Sequence, residues 1–271
     1  MTGFIYNNNS YDVGYGSSKI EYASKGDSTL GYSMYGENIP EEPDKDKLLE
    51  WINIPQNINT FYGGDGYIYS RLDYNYNTED YLEFYCCPII GPNFLQSNKS
   101  VMVLYTSSPY SGSKLDAVNL VLNLRKPGST LGKNYLKYSL VSPSMFIYYN
   151  EYDLNVNTIT YGQWYKIGSY KQYAVINGTT HIGNTYGTYR QIEGCNTVLF
   201  SYTHDDNGFE GKFSYFNVYS DMTKTTLLHS YKPFLTPENE IIIKDTVTNK
   251  SFPLLSNDGT LDNITYEIAQ N

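Results

Sequence analysis

Four consecutive segments decide the fold: Gly162-Gln163-Trp164-Tyr165-Lys166-Ile167-Gly168, Tyr173-Ala174-Val175-Ile176-Asn177-Gly178, Cys195-Asn196-Thr197-Val198-Leu199-Phe200 and Phe209-Glu210-Gly211-Lys212-Phe213-Ser214-Tyr215-Phe216-Asn217-Val218-Tyr219. Each is short, rich in β-branched and aromatic residues, and bounded by Gly, Asn or Asp, which is the pattern of strands separated by tight turns. Trp164 opens a strand, and Asn177-Gly178 supplies the pair that the two-residue hairpin turn favours. In the last segment strict alternation puts Phe213, Tyr215, Asn217 and Tyr219 on one face and Phe216 and Val218 on the other. Gly211 permits a bulge or a close backbone approach at the start of that strand.

Working outward, the same signal recurs at 67–72, 81–87, 101–105, 135–140, 144–149, 159–160 and 227–231. At 117–124 (AVNLVLNL) strand and helix spacings compete. Many short strands with polar turns indicate an antiparallel sandwich or jelly roll, with Trp164, Val198, Phe200, Phe213 and Val218 among its core or sheet-packing residues. The only helix expected is a short one over 44–51, begun by Pro43 with acids at its N-terminal end.

The order Gly-x-Trp strand, Asn-Gly hairpin, Val198-Leu199-Phe200 strand, then Phe209-x-Gly211-x-Phe213 running to Val218-Tyr219, resembles the concanavalin A-like (laminin-G-like) jelly roll. The tail Leu228-His229-Ser230-Tyr231-Lys232-Pro233-Phe234, Asp245-Thr246-Val247-Thr248-Asn249-Lys250-Ser251-Phe252 and Asp258-Gly259-Thr260 is similar to the ending of lectin-like proteins from bacteriophages of gut bacteria. Ile242-Ile243-Lys244 departs from the small-aromatic pair that often precedes the tail's Asp in that family. The resemblance implies an all-β, antiparallel two-sheet jelly-roll sandwich in a virion structural protein: a fibre, decoration, or tail or neck appendage.

Ahead of this region lies a polar, Gly-rich and aromatic segment that reads as short strands or an extended N-terminal arm, followed by the charge cluster Glu41-Glu42-Pro43-Asp44-Lys45-Asp46-Lys47. The expected division is an attachment arm over 1–45 and the jelly roll over 46–271. An arm without a core of its own is ordered by its neighbours, so Phe4, Ile5, Tyr6 and Tyr22 are expected to bury against other virion proteins or another copy of the chain in a homo-oligomer.

Composition narrows the functions. The chain has 271 residues, 28 Asp and Glu against 19 Lys and Arg, a net charge of −9 and a pI near 4.8. That argues against a nucleic-acid partner, which needs a basic face. Mean hydropathy is −0.47, and no apolar run approaches the roughly 18 residues of a membrane-inserted helix. The first residues lack the basic and apolar regions of a signal peptide, which fits synthesis in a host cytoplasm and residence in a virion. Cysteine occurs only at 86, 87 and 195, too few for a disulfide framework or a structural zinc site. Tyr is the unusual residue, at 31; it suits both strands and contact surfaces.

No phosphate loop, dinucleotide fingerprint, metalloprotease motif or nucleophile elbow is present, and His181, His204 and His229 lack metal-ligand spacing. Two acid pairs lie close enough in sequence to bear on glycosidase chemistry: Glu238/Glu240 and Asp80/Glu83. Neither sits in a longer acidic signature, so no catalytic residues and no enzyme are expected. The loop Asp205-Asp206-Asn207-Gly208-Phe209-Glu210 concentrates oxygen ligands on a turning backbone. Asp205, Asp206 and Glu210 are the candidates for a Ca²⁺ site, the one cofactor considered. Asp205, Asp206 and Asn207, with Tyr186 and Tyr189 as stacking rings, are the candidates for binding a host-surface glycan.

Overall fold

The structure, a computed structural model, describes residues 2–6, 9–13, 20–23, 29–32, 45–55, 68–89, 100–108, 117–124, 134–142, 145–154, 159–171, 173–187, 193–200, 209–256, 261 and 263–270. It divides into two compact units, Met1–Lys45 and Asp46–Asn271. The first unit contains two antiparallel hairpins. Strand β1 (Thr2–Tyr6) pairs with β2 (Asn9–Val13), and β3 (Ile20–Ala23) pairs with β4 (Thr29–Tyr32). Phe4, Ile5 and Tyr6 therefore sit on β1 and Tyr22 on β3, with their backbones engaged in hairpin pairing.

The second unit is an antiparallel β-sandwich, with no helix among the described residues. Its strands are β5 (Lys47–Ile54), β6 (Ile68–Asn77), β7 (Tyr81–Pro88), β8 (Ser100–Ser108), β9 (Ala117–Leu124), β10 (Asn134–Ser142), β11 (Met145–Leu154), β12 (Tyr165–Tyr170), β13 (Tyr173–Ile176), β14 (Thr179–His181), β15 (Asn184–Gly187), β16 (Glu193–Leu199), β17 (Gly211–Tyr219), β18 (Leu227–Leu235), β19 (Ile241–Asp245), β20 (Lys250–Pro253), β21 (Leu255–Ser256) and β22 (Thr265–Ile268). The eight-stranded sheet runs β15-β11-β10-β9-β8-β16-β6-β21. The ten-stranded sheet runs β14-β13-β12-β7-β17-β5-β18-β19-β20, with β22 added on β5. The β13–β14 hairpin turns at Asn177-Gly178, both with positive φ (49° and 82°), as that two-residue turn requires.

One hydrophobic cluster fills the space between the sheets. Phe84 of β7 packs on Phe200, Phe209, Phe213 and Phe216, and Tyr105 of β8 packs on Phe216 from the opposite sheet. Five of the ten largest fully buried side chains are tyrosines: Tyr76, Tyr81, Tyr105, Tyr138 and Tyr231. A buried phenol needs a partner, and each of these has one. Tyr76 and Tyr138 bond one another at 3.1 Å, Tyr105 bonds Ser169 of the other sheet, Tyr231 donates to Asp73 at 3.1 Å and Tyr81 to Glu83 at 2.9 Å.

Three expectations are corrected. No helix covers the described residues of 44–51; Lys47–Ile54 is a strand. Leu49 and Ile52 are both buried three residues apart, a spacing that imitates a helix turn. It arises from a register shift opposite Glu267/Ile268, where Trp51 pairs with Glu267 and Leu49 with Ile268. Secondly, Phe213 does not share a face with Tyr215. A bulge at Ser214 leaves Phe213 opposite Cys86 and Tyr215 opposite Tyr85, so Phe213 joins Phe216 and Val218 in the core. Lastly, Ile159-Thr160 is not a strand, although Ile159 is buried. At 117–124 the strand spacing wins, with Leu120 and Leu122 in the core. Val198, Phe200, Phe213 and Val218 are core residues, whereas Trp164 is half-buried against Tyr85.

Candidate functional site: the outer face of the ten-stranded sheet

Alternation along β7 sends Leu82, Phe84 and Cys86 into the core and Tyr81, Glu83, Tyr85 and Cys87 to the other, outer face. Cross-strand register then assembles a site. Tyr85 lies opposite Lys166 of β12 and Tyr215 of β17; Glu83 lies between Gly168 and Asn217; Tyr81 lies between Tyr170 and Tyr219. Trp164, just before β12, stacks against Tyr85 at 4.9 Å between ring centroids, and Tyr215 approaches Tyr85 from the other side at 5.1 Å. The result is a strip of three half-buried rings across three strands.

Glu83 sits beside this strip and is only 1 % exposed. Its Oε1 accepts from Tyr215 Oη at 3.0 Å, and its Oε2 accepts from Tyr81 Oη at 2.9 Å and Lys224 Nζ at 2.5 Å. A buried carboxylate is tolerated when paired and hydrogen-bonded in this way. Burial first, and then the Glu83 charge, push both the Tyr81 and Tyr215 phenols well above the usual tyrosine value, so both remain donors. A Cβ built on Gly168 would lie 1.8 Å from the Leu82 carbonyl oxygen; only glycine allows β12 to approach β7 beside Glu83.

Lys224 comes from the turn between β17 and β18. Its φ of 57° is a left-handed conformation that costs a non-glycine residue about 1 kcal/mol. Asp221 organises that turn, accepting from the Thr223 N–H at 2.8 Å and from the Thr223 hydroxyl. These bonds hold the Asp221 carboxyl below the ordinary carboxylate range. The Lys224 ammonium ends 5.1 Å from the Tyr81 ring centroid and 5.5 Å from that of Tyr219, a cation–π geometry that helps hold the charge over the sheet.

Further along the same face, Lys212 lies opposite Cys87 and Asn53, with its ammonium 3.6 Å from the Trp51 ring centroid. Trp51 Nε1 donates to Glu267 of β22 at 2.7 Å. Two buried amide oxygens on this face, Asn53 Oδ1 and Asn217 Oδ1, accept no hydrogen bond among the described residues, although Asn217 Nδ2 donates to Tyr219 Oη.

A second polar cluster lies at the edge between the sheets. Asp245 accepts from the N–H groups of Ser230 and Val247, both at 3.0 Å, and from the Thr248 hydroxyl at 2.7 Å, and lies 2.8 Å from His229 Nδ1. Burial pushes its carboxyl up, but the bonds from Thr248, Ser230, His229 and Val247 outweigh this and hold it below the usual range. The His229 ring stacks on Tyr231 at 5.5 Å. Asp245 is thereby the anchor of the β19–β20 turn.

The positions singled out from the sequence fall elsewhere. Asp205, Asp206, Asn207 and Tyr189 lie outside the described residues, as does His204. Tyr186 lies on β15 at the edge of the eight-stranded sheet, its backbone opposite Tyr149. Glu210 is buried, next to the start of β17. Among the described residues no group of three or more His, Cys, Asp or Glu side chains could hold a metal ion. Glu238 and Glu240 are exposed in the β18–β19 turn. Asp80 accepts from Tyr74 of the opposite sheet at 2.7 Å, and burial pushes its carboxyl up; it therefore points away from the face that carries Glu83. Sequence reasoning noted Glu83 only as a neighbour of Asp80 and missed Tyr85, Tyr215 and Lys224. The available signal was the run Tyr81-x-Glu83-x-Tyr85, alternating polar aromatic and acid residues on one strand face.

Compared with known proteins, the chain matches no family and no curated sequence.

Proposed function

We propose that the chain is a bacteriophage virion structural protein, a fibre, decoration, or tail or neck appendage, whose second unit is a lectin-like concanavalin A-type jelly roll that binds host-surface glycan on the outer face of its ten-stranded sheet. The first 45 residues serve attachment to other virion proteins in a homo-oligomeric assembly. The observation that carries the binding reading is the strip of half-buried rings Trp164–Tyr85–Tyr215 on the outer face. Sugars offer apolar C–H faces to aromatic rings and hydroxyl donors to acceptors. The similarity of the 227–260 segment to phage lectin-like endings supports the virion setting. The reading is non-catalytic. Glu83, the carboxylate beside the strip, has both oxygens engaged by three donors, an arrangement suited to fixing the tyrosines rather than attacking a glycosidic bond.

A glycan array probed with the full chain tests the binding. Tyr85→Ala combined with Trp164→Ala is expected to abolish the signal while the circular dichroism spectrum is retained, because neither ring belongs to the core cluster. Undiminished binding by that variant would overturn the site. A mass-spectrometric inventory of purified virions tests the setting. Glycan binding by a chain absent from particles would instead favour a free-standing carbohydrate-binding module or adhesin.

A further inference from the structure

We infer that the glycan taken by this face is anionic, a saccharide bearing a carboxylate or sulfate group; the inference rests on the binding reading above. Three lysines stand around the ring strip and Glu83, and they differ in how their charge is met. Lys224 is neutralised by Glu83. Lys166 and Lys212 form no ion pair with a carboxylate among the described residues, and their ammonium groups lie over aromatic rings instead, at 6.0 Å from the Tyr85 centroid and 3.6 Å from that of Trp51.

This arrangement is notable in a chain with nine more acids than bases. Among the other described lysines, Lys171 is matched to Glu79, Lys244 to Asp46 and Lys250 to Asp73. The ring strip thus lies between two cations that form no ion pair among the described residues, with Glu267, bonded to Trp51, on the Lys212 side. Lys166 is directly opposite Tyr85, and Lys212 opposite Cys87, the next outward residue of β7. Glu83 adds no net charge to oppose an anion, because Lys224 offsets it. A saccharide ring stacked on Trp164 or Tyr215 would bring a ring-borne acid group towards these ammonium groups. Charge complementarity of this kind sets specificity and on-rate more than raw affinity, so a neutral glycan should still bind by stacking, but more weakly.

The test uses the full chain in titration calorimetry against four probes: oligogalacturonate, its methyl ester, dextran sulfate and dextran. Tighter binding of either acidic probe than of its neutral partner, by about tenfold (equivalent to about 1.4 kcal/mol), is expected at low salt and should shrink at high salt. The two acidic arms separate carboxylate from sulfate recognition. Lys166→Gln with Lys212→Gln should bring binding of each acidic probe down to that of its neutral partner. Equal binding of acidic and neutral probes, or an acidic preference untouched by the double variant, would overturn the inference and leave the glycan-binding reading standing. Failure of all four probes, together with an array blank for every glycan, would overturn both.

Discussion

The two faces of β7 are both buried and are stabilised by different physics. On the inner face, Phe84 meets four other phenylalanines, and the free energy comes from apolar area and shape. On the outer face, Glu83 meets two phenols and an ammonium, and the balance depends on each donor finding its acceptor. A strand alternating in this way shows that burial alone does not identify a core position. The inner face tolerates apolar substitutions that preserve volume, whereas the outer face depends on preserving its hydrogen bonds.

The largest effect that separates the two faces should come from Phe84→Ala. Deleting a fully buried ring surrounded by others costs about 3–5 kcal/mol, and urea denaturation should show it as a lowered midpoint. Phe84→Leu should recover most of that loss. If Phe84→Ala cost under about 1 kcal/mol, the inner face would not be a packed core.

Next comes Glu83→Ala. Removing one partner of a buried ion pair costs about 3–5 kcal/mol, but the Lys224 side chain is 34 % exposed and can rehydrate, so about 2 kcal/mol is expected here. Glu83→Gln keeps an acceptor for the phenols and should cost less, whereas Glu83→Leu, though similar in volume, should not rescue. Rescue by leucine would show that the outer face is held by packing after all.

The smallest effect is a pH dependence. The folded state raises the Tyr81 and Tyr215 phenols above their ordinary value. Their contribution to stability is therefore complete below about pH 10, the unfolded value, and is lost as pH rises towards the folded values. Tyr81→Phe with Tyr215→Phe should lower stability at neutral pH by about 1 kcal/mol per lost bond. It should also flatten the loss between about pH 9 and about pH 11, measured by thermal melts. Inner phenols such as Tyr105 and Tyr231 are raised too, so part of the alkaline slope should survive; an unchanged slope would place the sensitivity wholly inside.

The strands themselves were readable because alternation and turn chemistry are local: β7, β12, β13 and β17 follow from their own residues. What was not readable were the places where the period breaks. The Ser214 bulge moves Phe213 to the other face, and the shift at Leu49 and Ile52 imitates a helix; both are fixed by what the partner strand needs, not by the local sequence. The site was hidden for a related reason. Glu83 and Tyr215 are separated by 132 residues and Glu83 and Lys224 by 141, and no local pattern reports which distant strand will lie alongside. A cluster of acids contiguous in the chain, such as 205–210, draws attention that a cluster assembled across strands does not.

The position of β5 has a consequence during synthesis. This strand is the first of the sandwich, yet its neighbours are β17, β18 and β22, and its Trp51 bonds a glutamate 216 residues later. At about 5–20 residues per second, a ribosome leaves β5 waiting roughly 10–40 s for its last partner. Until β17 is made, Leu49, Ile52 and Ile54 have no neighbouring strand of their sheet to pair with. The apolar side of β5 therefore stays unpaired while residues 55–210 are translated, and the rate of translation through that stretch sets how long it is exposed.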